Sequence, residues 1–174
     1  SSDISVGAGD TTTGSPTVIL TSGDGIKTVS VKVYDLAGNF ATASDTIIVD
    51  RSGPTFTFTP VTWADTTQAI NIPFTVSDNF STIKTVKLYY IEMDSAADLS
   101  NIVELSILGT ETLILSETFV IPQRAETAAD SGYVYYYLEA SDSWDNKTYY
   151  ISSGETISAP AEISGFIKLN RIDF

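Results

Sequence analysis

The chain has 174 residues, a formal net charge of −13, and neither cysteine nor histidine. These absences exclude a disulfide framework, thiol chemistry, Ser-His-Asp triads and the usual zinc sites. The acidity argues against nucleic acid and anionic lipid as partners. The charge keeps an exposed protein soluble, and it can also draw divalent cations. No apolar run is long enough to span a bilayer and no charged-then-apolar leader is present, so the sequence is expected to be a mature product or a cut fragment.

The first run of period-two alternation is Thr28-Val29-Ser30-Val31-Lys32-Val33-Tyr34. Its valines fall on one face and its polar residues on the other, as in a strand with one buried and one wet side. Turn signals flank it at Gly23-Asp24-Gly25 and Ala37-Gly38-Asn39. Thr46-Ile47-Ile48-Val49-Asp50 reads as a closing strand, Arg51-Ser52-Gly53-Pro54 breaks the chain, and Thr55-Phe56-Thr57-Phe58-Thr59 reads as an opening strand. The break predicts one unit over 1–53 and another over 54–174.

In the second unit Ile70, Ile72, Phe74 and Val76 alternate with polar residues and with Pro73. A proline cannot donate to a ladder, so the strand should lie at an edge or carry a bulge there. Turns follow at Asp78-Asn79, then alternation over Val86, Leu88 and Tyr90, then a loop or one short helical turn at Ser95–Leu99. Asp130-Ser131-Gly132 is a turn ahead of a strand with Val134, Tyr136, Leu138 and Ala140 on one face, and Asp145-Asn146 ends it. Short strands at this spacing indicate an all-β sandwich or barrel. The expected core is Val29, Val31, Val33, Ile47 and Val49 in the first unit. In the second it is Ile72, Phe74, Val76, Val86, Leu88, Val134, Tyr136, Leu138 and Ala140.

A faint repeat links the units. Lys32-Val33-Tyr34-Asp35-Leu36-Ala37-Gly38-Asn39 aligns with Glu139-Ala140-Ser141-Asp142-Ser143-Trp144-Asp145-Asn146, each ending in Asp-x-x-(Gly/Asp)-Asn after an alternating strand. The first Asp can accept hydrogen bonds from backbone N–H groups two residues on, and Gly38 or Asp145 can take a positive φ. The same hairpin is therefore expected twice.

The stretch GDGIKTVSVKVYDLAGNFATASDTIIVDRSGP, Gly23 to Pro54, resembles the C-terminal half of bacterial immunoglobulin-like domains in large surface proteins and adhesins. The segments TPVTWADTTQAINIPFTVSDN, VKLYYIE, FVIPQ and VYYYLEASDSWDN resemble another immunoglobulin-like, fibronectin-III-like module. The resemblance implies an antiparallel immunoglobulin-like β-sandwich, one incomplete unit followed by one complete unit. A full sandwich takes about 100 residues, so residues 1–53 offer only its last strands. Asp145 stands where such modules usually have Gly.

The resemblance further implies calcium at Asp35 and Asp50, with Asp24 or Asp78 as neighbours; ordinary turn chemistry explains the same residues. Tyr89, Tyr135 and Tyr137, with Ile91, should share the outer face of one sheet. They would serve as a platform for sugar rings or as cross-strand pairs, with Ala161–Leu169 as a candidate cover. Asn79-Phe80-Ser81 and Asn146-Lys147-Thr148 are glycosylation sequons at turns. Trp63 and Trp144 are expected to cap the core. The protease-like Asp130-Ser131-Gly132 lacks the second lobe such an enzyme needs, and no carboxylate pair can be placed in one cleft. The sequence therefore points to a non-catalytic spacer module of a secreted or cell-surface protein, with neighbouring immunoglobulin-like domains as partners and no required cofactor. Two alternatives are a self-assembling filament subunit joined by strand addition, through a segment such as Asp10–Leu20, and an accessory carbohydrate-binding domain.

Overall fold

The computed structural model describes residues 17–61, 63–65, 68–93, 102–109, 111–123, 131–151, 156–157 and 167–172. Among them every regular element is a β-strand. Ser95–Leu99, Asp130 and residues 10–16 lie outside the described residues. The chain divides into two compact units, Ser1–Arg51 and Ser52–Phe174, just ahead of the Gly-Pro break.

The first unit contains one hairpin. β1 (Gly25–Tyr34) and β2 (Phe40–Val49) pair antiparallel in unbroken register, from Gly25↔Val49 to Tyr34↔Phe40. Directly opposed residues share a face, so Val29, Val31 and Val33 stand with Ala41, Ala43, Ile47 and Val49. Val31, Val33 and Ile47 were expected in a core, yet each is about half exposed, at 50%, 51% and 50%. Val29 and Val49 are only partly covered. Two strands make a single layer, and a single layer has nothing to bury its apolar face against.

The second unit holds two sheets. β3 (Thr55–Thr57), β5 (Ile70–Ser77) and β8 (Ile114–Ile121) form one, in the order β3-β5-β8. In the other, β6 (Ile83–Met93) lies between β7 (Val103–Leu108) and β9 (Ser131–Asp142). Two strands share the remaining edge of β9. β10 (Lys147–Tyr150) runs along Leu138–Ser141, and β12 (Ile167–Ile172) runs along Ser131–Tyr136. β11 (Thr156–Ile157) extends β10, and β4 (Trp63–Asp65) pairs parallel with β12. All the other pairings are antiparallel.

One apolar core lies between the two sheets. Ile70, Ile72, Phe74, Val76, Leu115, Phe119 and Ile121 come from one sheet, and Val86, Leu88, Val134, Tyr136, Leu138 and Ala140 from the other. Every core position expected in the second unit is buried. Alternation along β5, β6 and β9 turns one side of each strand toward the opposite sheet, and burial of that side supplies the main stabilising term. Phe74 stacks on Phe119 with centroids 5.1 Å apart, and Phe58 meets Tyr136 edge-on at 6.3 Å. The fully buried Tyr136 satisfies its polar end on one residue: its hydroxyl donates to Val61 O at 3.1 Å and accepts from Val61 N at 2.9 Å. Pro73 sits opposite Thr118 of β8, in the part of β5 that runs past the end of β3 at Thr57↔Thr75. The proline thus falls where β5 has a described partner on one side only.

Candidate functional site

Polar side chains concentrate at two places in the second unit, the turn after β9 and the outer face of the larger sheet. At the turn, Asp142 is fully buried. Its Oδ1 accepts from Trp144 N at 2.9 Å and Asn146 N at 2.8 Å. Its Oδ2 accepts from Asn146 Nδ2 at 2.8 Å and Ser81 Oγ at 2.9 Å. The backbone closes around it through Asp142 N→Asn146 O and Asp145 N→Asp142 O, both 3.1 Å. Asp145 takes a φ of 66°, the position that favours glycine.

The first unit repeats this turn bond for bond. Asn39 N donates to Asp35 Oδ1 at 2.8 Å and Asn39 Nδ2 to Asp35 Oδ2 at 2.7 Å. Asp35 N→Asn39 O and Gly38 N→Asp35 O close the backbone at 2.8 and 3.1 Å, with Gly38 at a φ of 87°. The Asn39 side chain, then its backbone N–H, hold the Asp35 carboxyl below the usual carboxylate range. One difference separates the copies: Asp35 is exposed, whereas Asp142 is sealed by Ser81 from the β5–β6 loop.

Ser81 also ties Asp142 to Asp78. Its Oγ lies 2.9 Å from Asp142 Oδ2 and 3.2 Å from Asp78 Oδ1. A hydroxyl has one proton to donate, so the shorter bond to Asp142 takes it. Asp78 Oδ1 meanwhile accepts from Phe80 N and Ser81 N, both at 2.8 Å. The two carboxylates are thus bound into the β5–β6 loop and the β9–β10 turn. An ionised carboxylate has about four acceptor sites, and Asp142 uses all of them on protein donors. One carboxylate oxygen from each of Asp78 and Asp142 lies within 4.8 Å of the other, near enough to share a divalent cation. Thermal unfolding of the second unit in calcium and in chelator, read by circular dichroism, separates the two readings: a higher midpoint in calcium marks an ion held there, and one midpoint in both marks carboxylates satisfied by their protein donors.

Asp35 and Asp50 are not brought together. Asp35 follows the last residue of β1 and Asp50 the last of β2, so they lie at opposite ends of the hairpin. Ten residues of strand separate them by roughly 33 Å, far beyond the reach of one ion. Asp24, at the Asp50 end, accepts from Arg51 N at 3.1 Å.

On the outer face of the larger sheet, Tyr89 pairs with Tyr137 across β6 and β9, and Ile91 with Tyr135; Ile91 is 2% exposed and so is not part of an open patch. The Tyr89 and Tyr137 rings are stacked with centroids 4.7 Å apart and 13° between planes. Tyr149 tilts against Tyr137 at 6.4 Å, and Tyr133 against Tyr135 at 6.3 Å. Ion pairs bracket the row, Lys87–Glu104 at 2.9 Å and Lys147–Glu139 at 2.8 Å. Burial first, and then a hydrogen bond to Glu104, push the Tyr89 hydroxyl up; burial does the same to Tyr137. The Lys87 ammonium holds Glu104 down. Tyr89 and Tyr137 each turn one ring face toward the other. The arrangement is that of cross-strand pairing. β12 pairs with β9 within this sheet, in register with Tyr135 through Lys168, so Ile167–Leu169 of the candidate cover does not lie over the tyrosines; residues 161–166 lie outside the described residues.

The two sequons differ. Asn79 is exposed at a bend. Asn146 Nδ2, the atom a glycan would occupy, donates to Asp142 inside the turn. Trp144 is 47% exposed and does not cap the core; the Trp63 side chain lies outside the described residues. A shallow depression of about 530 Å³ over Pro73, Phe74 and Thr118 has Glu117 as its one ionisable lining residue, which leaves it without an acid–base pair.

The turn contacts that bridge distant segments, Ser81–Asp142 and Tyr136–Val61, had no signal in the sequence, because their partners are far apart along the chain. No protein-family model matches the sequence, and no curated protein matches it.

Proposed function

We propose that the chain is a non-catalytic structural module of a secreted or cell-surface protein, immunoglobulin-like in architecture, that acts as a spacer between neighbouring domains. The observation that carries this reading is the hairpin built twice in one chain with the same turn hydrogen bonds. Repetition of a β unit along a chain is how extended stalks are made, since each added unit adds length without new chemistry. Strand order supports the architecture. The sheet β3-β5-β8 faces one in which β6, β9 and the β10/β12 pair are neighbours, the arrangement of A-B-E and C-F-G strands in immunoglobulin sandwiches. The acidic charge and the missing histidine and cysteine suit a solvent-exposed extracellular role.

Retention on a panel of insoluble polysaccharides distinguishes a spacer from a carbohydrate-binding module. The spacer reading expects the chain to pass through unretained, because Tyr89 and Tyr137 engage each other as a cross-strand pair. Retention that disappears in Tyr89→Ala and Tyr137→Ala would replace it with the adhesive reading.

A further inference from the structure

The hairpin of the first unit leaves an apolar sheet face open, and its counterpart in the second unit does not. Aligned on their turns, Val29, Val31 and Val33 of β1 correspond to Tyr136, Leu138 and Ala140 of β9. The three residues of β9 are each 0% exposed, covered by the facing sheet. Val31 and Val33 are 50% and 51% exposed, and Ile47 on the same face 50%. The opposite face is polar along its middle, with Thr28, Ser30, Ser44 and Thr46, and its exposed apolar side chains stand apart at its two ends, Ile26 with Ile48 and Tyr34 with Phe40, where Lys32 Nζ sits 3.8 Å from the Phe40 ring centroid; the valine face carries the continuous run. The valine face is therefore the one that calls for a cover.

We propose that the cover is the same face of a second copy of this chain, the two hairpins packing face to face about a two-fold axis parallel to their strands. Shape favours this partner. β1 lines the face with Val29, Val31 and Val33 while β2 sets Ala43 and Ala41 opposite the last two, so a ridge runs beside a trough. The two-fold lays each ridge over the other copy's trough, the self-complementarity an isologous interface requires. Charge favours it as well. Lys27 and Lys32 balance Asp35 and Asp45 within Gly25–Val49, whereas the whole chain carries −13, so copies repel least at the hairpin. Lys27 and Asp45 share the apolar face on opposite strands in neighbouring rows, and the axis brings each Lys27 diagonally toward the partner's negative residue. Two ten-residue strands offer a small face, so the pairing is weak and concentration-dependent. It does not depend on the spacer reading, which concerns glycan retention.

Analytical ultracentrifugation of the whole chain over a rising concentration series tests it, with Val31→Asp and Ser30→Asp compared. These neighbours lie on opposite faces of β1, so they carry similar backbone cost and differ in what they point at. The wild-type mass should climb from 18.7 kDa toward a dimer. Ser30→Asp should follow it, and Val31→Asp should raise the dissociation constant at least about tenfold by placing a charge in the apolar interface. Ala43→Leu, which fills the trough without adding charge, should also weaken the pairing, and an unchanged Asn39 amide signal would show that the hairpin is intact. A single-chain mass at every concentration overturns the proposal. So does association that Val31→Asp and Ser30→Asp affect alike.

Discussion

Asp142→Ala should lower the stability of the second unit by about 3–5 kcal/mol, because it removes a fully buried acceptor and strands one buried and three part-buried donors at once. Trp144 N, Asn146 N, Asn146 Nδ2 and Ser81 Oγ all give their hydrogen bonds to this carboxylate, which is 0% exposed. Water cannot replace it without opening the end of the sandwich. For a domain of this size the loss corresponds to a fall in Tm on the order of 10–20 °C in differential scanning calorimetry. Asp142→Asn should fall between, since its amide nitrogen would face the donor it must accept from. Asp35→Ala removes the same acceptor from the same turn, yet Asp35 is exposed and water takes over its donors. The second unit's transition should then stay within error of wild type. Equal losses in the two variants would mean that the local turn, not its burial, carries the energy.

The second large effect is expected at Leu138. It sits on β9 with β6 on one side and β10 on the other, and its side chain is fully buried. Leu138→Ala should cost about 2–5 kcal/mol, the transfer of the lost methyl and methylene groups plus the cavity they leave in a core held from both sheets. The urea midpoint should drop with the slope unchanged, because the surface exposed on unfolding is nearly the same. Val31 occupies the equivalent position of the first hairpin and is 50% exposed. Val31→Ala should leave the second unit's urea curve where it was. A cost below about 1 kcal/mol at Leu138 would mean that the core relaxes into the space.

Local and periodic properties of the molecule were legible in the sequence. Alternation assigned the inward faces of β5, β6 and β9, because successive side chains of a strand point to opposite sides whatever lies beyond them. It also located the outward tyrosines. The Asp-x-x-(Gly/Asp)-Asn turns were readable for a similar reason: each carboxylate is satisfied within a few residues, and Gly38 and Asp145 take the positive φ that the turn demands.

Alternation says which face is apolar, and only a second layer says whether that face is buried. Val31 and Leu138 carry the same pattern, but a facing sheet covers Leu138 and leaves Val31 half exposed. The parallel pairing of β4 with β12, the division of one β9 edge between β10 and β12, and the bonds Ser81–Asp142 and Tyr136–Val61 join segments distant along the chain. No short-range signal encodes them, since their formation depends on where whole sheets come to rest. The sequence by itself determined the strands with clear alternation, β1, β5, β6 and β9, their faces and the two turns, all of which follow from backbone geometry over a few residues. Only the tertiary structure decided that Asp142 is a buried keystone and Asp35 a solvated turn residue, because burial depends on what packs above a turn and not on the turn itself.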